Sequence, residues 1–276
     1  MVKAMIDYHI HTLLCNHAVG GIRSYVDAAV RAGLTEICFL EHFTLDRTST
    51  AHSMAPGEVP FYVYAVREMK EAYKDRITIR TGLEVDFCPE AVPALTEIID
   101  RFEFDLIGCS IHFVDGINIA SRRNASAIPD KDFDALCRRY VERVRQMVET
   151  PFFDVVCHLD VIKKSGRPLP ADVEKGLAEV IDIMAHQNLA LEVNTGGLAH
   201  SAKDYYPSEA LIARAVTQEV PLTTGSDAHK AQAVGAGIPA AMNTLRNLGV
   251  THLARFDRRQ RILVPMDTQP TPQESQ

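Results

Sequence analysis

Six residues from its start the chain reads Asp7-Tyr8-His9-Ile10-His11-Thr12, after the apolar opening Ala4-Met5-Ile6. On a strand, alternate side chains face one way, so His9 and His11 point together and Ile10 turns aside. Two imidazoles so placed can chelate one divalent ion. His-x-His alone is a weak signal, but here it recurs in kind. Later apolar runs close as Phe39-Leu40-Glu41-His42, Thr81-Gly82-Leu83-Glu84, Gly108-Cys109-Ser110-Ile111-His112, Val155-Val156-Cys157-His158 and Thr224-Gly225-Ser226-Asp227-Ala228-His229. The run before residue 195 delivers Glu192 and Asn194. The donors are imidazole and carboxylate without thiolate, which suits Zn, Mn or Fe in a hydrolytic site better than a structural zinc. There are too many for one ion. Two or three ions, bridged by Glu84 and a hydroxide, use them economically. Three divalent ions carry about +6, of which Glu84, Asp227 and a hydroxide offset about three. The residual field favours an anion such as a phosphate ester, whose phosphoryl oxygen such ions polarise.

These residues need a scaffold that brings strand ends together. Seven strand-like runs can be marked, at 4–9, 36–41, 77–84, 104–111, 153–158, 189–194 and 221–226. Most are continuously apolar, as parallel strands covered on both faces should be. Helical patterns alternate with them at 22–33, 58–74, 90–101, 131–149, 172–187, 208–218 and 232–248. Gly33 reads as the glycine just past the first helix, and Asp130, Asp172 and Ser208 as N-caps or first-turn residues. Strict alternation predicts right-handed crossovers and a parallel sheet. In a parallel α/β barrel the strand C-termini open onto one mouth, where the polar ends would converge. The stretch 113–129, with Gly116, Arg122, Arg123, Asn124 and Pro129, is a loop long enough to suggest a functional role.

The 276 residues suit one large α/β domain, taken as 1–266, with the polar, Pro-rich 267–276 expected to be disordered. No apolar run reaches the length of a membrane span, and the N-terminus lacks the pattern of a signal peptide. A net charge of -7 argues against duplex nucleic acid as a partner. Six cysteines without a Cys-x-x-Cys read as reduced, packed thiols in the cytoplasm. His186 and His252 read as surface residues and His52 is uninformative. Nothing in the sequence indicates an oligomeric state.

The order of these motifs resembles the PHP (polymerase and histidinol phosphatase) superfamily: His-x-His, a loop His, then His, Glu, His and His after strands two to five, then Asp-x-His. More narrowly, Cys15-Asn16-His17-Ala18, Gly108-Cys109-Ser110-Ile111-His112-Phe113-Val114-Asp115-Gly116 and Glu192-Val193-Asn194-Thr195 resemble its histidinol-phosphate phosphatases. The resemblance runs from about residue 6 to about 240. It implies a distorted (β/α)7 barrel with a trinuclear site. His9, His11, Glu84 and Asp227 would hold one ion, Glu84, His112 and His158 a second, and His17, His42 and His229 a third. Zn, Mn or Fe would serve. Asp160, two residues past His158, would face the same way and protonate the leaving group, as a bound water also could. The reaction implied is hydrolysis of L-histidinol phosphate in histidine biosynthesis.

One position departs from that pattern. An Arg commonly follows the Asn-Thr of strand six as a phosphate contact, whereas this chain reads Asn194-Thr195-Gly196-Gly197-Leu198-Ala199-His200. His200, Lys163, Lys164 and Arg122 are the candidate replacements, with Arg123 and Arg167 behind them. Two other readings remain: a phosphoesterase for another small phosphate ester, and a non-catalytic metal-binding module.

Overall fold

Seven apolar segments are buried on both faces because each becomes a strand of one parallel sheet. The computed structural model describes residues 4–45, 50–121, 124 and 127–266. The strands are β1 (Ile6–Ile10), β2 (Glu36–Phe43), β3 (Thr78–Asp86), β4 (Leu106–Ser110), β7 (Val155–Val156), β8 (Ala190–Asn194) and β9 (Leu222–Gly225). They lie side by side in chain order, and every neighbouring pair is parallel. The two small strands β5 (Phe113–Val114) and β6 (Ile117–Asn118) form a separate antiparallel pair inside the long loop.

The sheet curls until its first and last strands meet. Ile10 and Ala228 form a parallel bridge. The Ala228 N–H donates to His9 O at 3.1 Å, the His11 N–H donates to Ala228 O at 3.0 Å, and Thr224 Oγ1 donates to Ile6 O at 2.6 Å. The result is a nearly closed barrel of seven parallel strands.

Around it run α1 (Ile22–Arg31), α2 (Val59–Tyr73), α3 (Val92–Ile99), α4 (Asp130–Val148), α5 (Ala171–Met184), α6 (Glu209–Thr217) and α7 (Ile238–Asn247). Each strand–helix unit anticipated from the sequence is present. Gly33 follows α1 at φ +72°, the left-handed conformation that suits a glycine past a helix end. Ser208 is the N-cap of α6, and Asp172 lies in the first turn of α5. The last predicted helix, 232–248, shortens to α7, because Gly235 and Gly237 take φ +73° and +77° and break the pattern. The predicted strand 153–158 shortens to Val155–Val156, since His158 has φ +27° and leaves the extended conformation.

The end of the barrel opposite the mouth is covered by an element absent from the sequence reading. Antiparallel β10 (His252–Asp257) and β11 (Gln260–Pro265) form a hairpin whose Phe256 packs near buried Tyr8, with ring centroids 6.3 Å apart. Its arginines meet carboxylates at the strand starts: Arg259 Nε lies 3.0 Å from Asp154 Oδ2, and Arg255 Nη1 3.3 Å from Glu36 Oε2. The Arg258 N–H donates to Asp105 Oδ1 at 3.3 Å. The hairpin also brings the ends of the described chain together, with the Ala4 N–H donating to Pro265 O at 3.0 Å and a parallel bridge between Ala4 and Met266. Among the described residues no helix is long and apolar enough to cross a membrane. Residues 267–276 lie outside the described residues.

Candidate metal centre

Strand register puts the site together. β2 and β3 pair His42 with Glu84, and β3 and β4 pair Glu84 with Gly108, so Glu84 stands in mid-sheet with histidine-bearing strands on either side. His9 is the fourth residue of β1, and His11 follows that strand on the same face. His112 and His158 lie just past β4 and β7, and Asp227 and His229 just past β9. His17 comes from the loop after β1. All seven imidazoles and both carboxylates selected from sequence meet at one mouth. His11 stacks on His42 and His229 at centroid distances of 4.0 and 4.1 Å, and His17 on His229 at 4.5 Å.

The two oxygens of Glu84 serve different halves of this array. Oε2 lies 2.7 Å from His42 Nδ1, 3.3 Å from His9 Nε2 and 3.8 Å from His11 Nε2. Oε1 lies 2.6 Å from His158 Nε2 and 3.5 Å from His112 Nε2. Asp227 Oδ1 closes the first half, 3.2 Å from His11 Nε2 and 3.9 Å from His9 Nε2. His42 stands between groups, since its ring nitrogen clusters with His11 and His229 and also with Glu84 and His112.

Burial alone would raise the Glu84 carboxyl, but His42, His9, His112 and His158 overrule it and hold it well below the usual carboxylate range. Asp227 is likewise held low, with burial outweighed by His9, His11 and His229. His11 is driven down to about 3 by burial and by neighbouring His229.

These atoms fit metal ions. His17 Nδ1 lies 2.7 Å from Cys15 O, and His229 Nδ1 3.0 Å from Asp227 O. A carbonyl can only accept, so Nδ1 carries the proton and Nε2 keeps its lone pair. His229 Nε2 and His9 Nε2 are buried without hydrogen-bond partners. Buried lone pairs aimed at one another are costly until a cation lies between them. With hard carboxylate and borderline imidazole donors, Zn, Mn or Fe suits the set.

Carboxylates behind the centre hold its frame. Glu41, pushed up to about 7 by burial against bonds from Thr12 and His42, accepts the Thr12 N–H at 2.8 Å and the His42 N–H at 3.1 Å. Asp7 accepts the N–H groups of Ser226 at 2.8 Å and Gly235 at 2.9 Å, fixing the segment that carries Asp227 and His229. Asp227 itself sits at φ +57°. His52, uninformative in sequence, lines the mouth edge-on to His17 with centroids 5.4 Å apart. Only its position after a histidine-bearing strand could have suggested that.

Two cavities flank the centre and share His17, Lys164, Asp227 and His229. One, of about 270 Å³, runs under His52, Phe113 and Asn118. The other, of about 550 Å³, is bounded by Thr195, His200 and Lys230. Lys164 therefore lines both cavities beside the centre, and His200 one of them. Lys163 lines neither: its Nζ lies 2.8 Å from both Asp160 Oδ2 and Asp204 Oδ2, beside a third cavity of about 480 Å³. Asp160 lines that same cavity and accepts the Ser208 N–H at 2.9 Å. The expectation that Asp160 would share the face of His158 relied on strand alternation, and the strand ends at Val156. Arg122 and Arg123 lie outside the described residues.

A seven-stranded parallel barrel with imidazoles and two carboxylates gathered at one mouth defines a polynuclear metal centre of hydrolytic type. Residues 7–196 match the family model of the PHP domain, and the chain belongs to the PHP domain family. A protein of Deinococcus radiodurans described as a probable histidinol-phosphatase is 30% identical over 249 residues, covering 90% of this chain and 95% of that one. The histidinol-phosphatase of Bacillus subtilis is 24% identical over 254 residues, covering 83% of this chain and 95% of its own. The crystal structure of histidinol phosphate phosphatase from Lactococcus lactis, complexed with Zn, L-histidinol and phosphate, is similar with a TM-score of 0.82 at 22% identity. That likeness covers 93% of this chain and 98% of that one.

Proposed function

We propose that this chain is a metal-dependent phosphomonoesterase that hydrolyses L-histidinol phosphate to L-histidinol and phosphate. The observation that carries the reading is Glu84, whose two oxygens face separate groups of imidazoles at the mouth of the barrel. The substrate follows from the relatives, whose matches run along nearly the whole chain. Residues 1–266 act as one unit, and the six free thiols suit a reducing, cytoplasmic setting.

Two or three ions, when bound, would polarise the phosphoryl oxygens and supply a hydroxide at neutral pH. His9, His11, Glu84 and Asp227 would hold the first, Glu84, His112 and His158 the second, and His17, His42 and His229 the third. Lys164 and His200 orient the phosphate from the two flanking cavities and stand in for the missing Arg. Lys163 and Asp160 support the turn at 161–165 from behind, so Lys164 keeps its place. A water at the open mouth would protonate the leaving alkoxide.

The test is phosphate release from L-histidinol phosphate by protein reconstituted with Zn, Mn or Fe, beside a panel of sugar and nucleotide phosphates. Preference for histidinol phosphate supports the proposal. A clear preference for another ester would mean that the lost Arg marks a changed substrate. A metal-loaded protein inert to every ester would mark a binding module.

A further inference from the structure

Glu192 lies in β8 behind the centre, 2% exposed. Its Oε1 is 2.6 Å from His9 Nδ1. That hydrogen bond uses the His9 ring nitrogen opposite the one that faces Glu84 and Asp227, so Glu192 stands behind the ligand cluster that it borders. Because Nδ1–H is spent on Glu192, the His9 Nε2 lone pair is turned toward Glu84 and Asp227. Its Oε2 accepts the His158 N–H at 2.9 Å and lies 3.2 Å from Asn194 Nδ2. His158 is the residue at φ +27°, a conformation a side-chain-bearing residue keeps only when its surroundings impose it. The approach depends on β9. A Cβ at Gly225 would fall 2.1 Å from Glu192 Oε1 and 2.6 Å from His9 Cβ. Gly225 is therefore glycine for room, not for backbone freedom.

We propose that Glu192 is a positioning residue that couples the two halves of the centre, one oxygen orienting the ring of His9 and the other anchoring the strained peptide of His158. This rests on reading the cluster as a metal centre. His9 belongs to the half closed by Asp227, and His158 to the half facing Glu84 Oε1, so one carboxylate sets the geometry of two ion sites at once. Glu192→Gln cannot serve both: its oxygen can accept from His9 or from the His158 N–H, while its amide group opposes the other donor.

The experiment titrates zinc from wild type, Glu192→Gln and Gly225→Ala against a competing chelator. Thermal unfolding of the metal-free proteins and separate kcat and KM values for phosphate release accompany it. Both variants are expected to hold two zinc equivalents about 10–100-fold more weakly. Their kcat should fall at limiting zinc and recover in excess zinc, with KM unchanged. Gly225→Ala alters no charge, and its Cβ presses on both the Glu192 carboxylate and His9, so agreement between the variants ties the effect to the placement of the Glu192–His9 pair. Wild-type zinc affinity in both, with lowered metal-free melting, would overturn the proposal, and so would metal-free proteins that no longer fold. Weakening of one equivalent only would overturn the coupling. Wild type that binds no zinc would overturn the metal centre itself. Wild type that binds zinc but leaves histidinol phosphate intact would overturn only the substrate, and the zinc titration would still decide the role of Glu192.

Discussion

Glu84 cannot be replaced by a residue that reaches only one half of the centre. Glu84→Ala is expected to lose at least one ion and to lower kcat by about 10³-fold or more, the scale on which such centres act. Elemental analysis and steady-state kinetics check this, and near-normal turnover would show that Glu84 does not bridge. The lysine pair offers a finer test, because neighbours in sequence face different cavities. Lys164→Ala is expected to lower kcat/KM by about 10–100-fold, the range of one charge-assisted contact, with His200→Ala next. Lys163→Ala should mainly destabilise the turn at 161–165, since it strips a cation from Asp160 and Asp204. Equal kinetic loss in both lysine variants would contradict this division. At this scale the candidate ligands other than His17 were legible because each lies at the end of an apolar run, a pattern that needs no tertiary information, whereas His17 sits in a loop and was marked only by the family resemblance. Asp160 was not, since spacing by two has meaning only while the strand lasts. Glu192, Glu41 and Asp7 were visible as residues, but their partners lie on other strands and no spacing along the chain announces them.

Among the elements, strand–helix alternation was legible throughout, because burial on both faces writes itself as unbroken apolar runs. The closing hairpin was not. Its two-residue turn is Arg258-Arg259 at φ +47° and +64°. Such turns ordinarily announce themselves by Asn or Gly, and here the backbone N–H groups of Arg258 and Arg259 bond to Asp105 and the Arg259 side chain pairs with Asp154, which holds the turn instead. The carboxylates under the hairpin have a measurable consequence. Burial would raise Asp105, but its bonds from Lys70, Thr81 and Arg258 overrule it and hold the group below its ordinary value. A carboxylate lowered on folding stabilises the protein above its unfolded pKa near ~3.9, and that contribution fades as pH falls through the lower folded value. Asp105→Asn is thus expected to cost about 1–3 kcal/mol at pH ~7, with the difference narrowing below pH ~4. Denaturant unfolding of the metal-free proteins at both pH values reads it directly, and a gap independent of pH would assign the loss to packing instead.

In the whole molecule, chemistry occupies one end of the barrel and ionic closure the other. The segment matched by the family model stops at residue 196, before β9, Asp227 and His229. The matched segment is therefore shorter than the barrel, and Asp227 and His229 reach the mouth with the strand that seals it. The meeting of Ala4 with Pro265 and Met266 at the closed end carries a consequence for connectivity. Because these residues touch, the chain can be re-threaded without separating any neighbouring strands. Joining the ends through a short flexible linker and reopening the chain at exposed Asp75, in the turn between α2 and β3, would give a circular permutant with every strand neighbour retained. Such a permutant is expected to bind the same number of ions and keep kcat within a few-fold of the parent, which metal analysis and kinetics on the purified permutant would establish. One that folds but binds no metal would mean that the covalent path through 74–77, and not the barrel wall alone, keeps Glu84 in register.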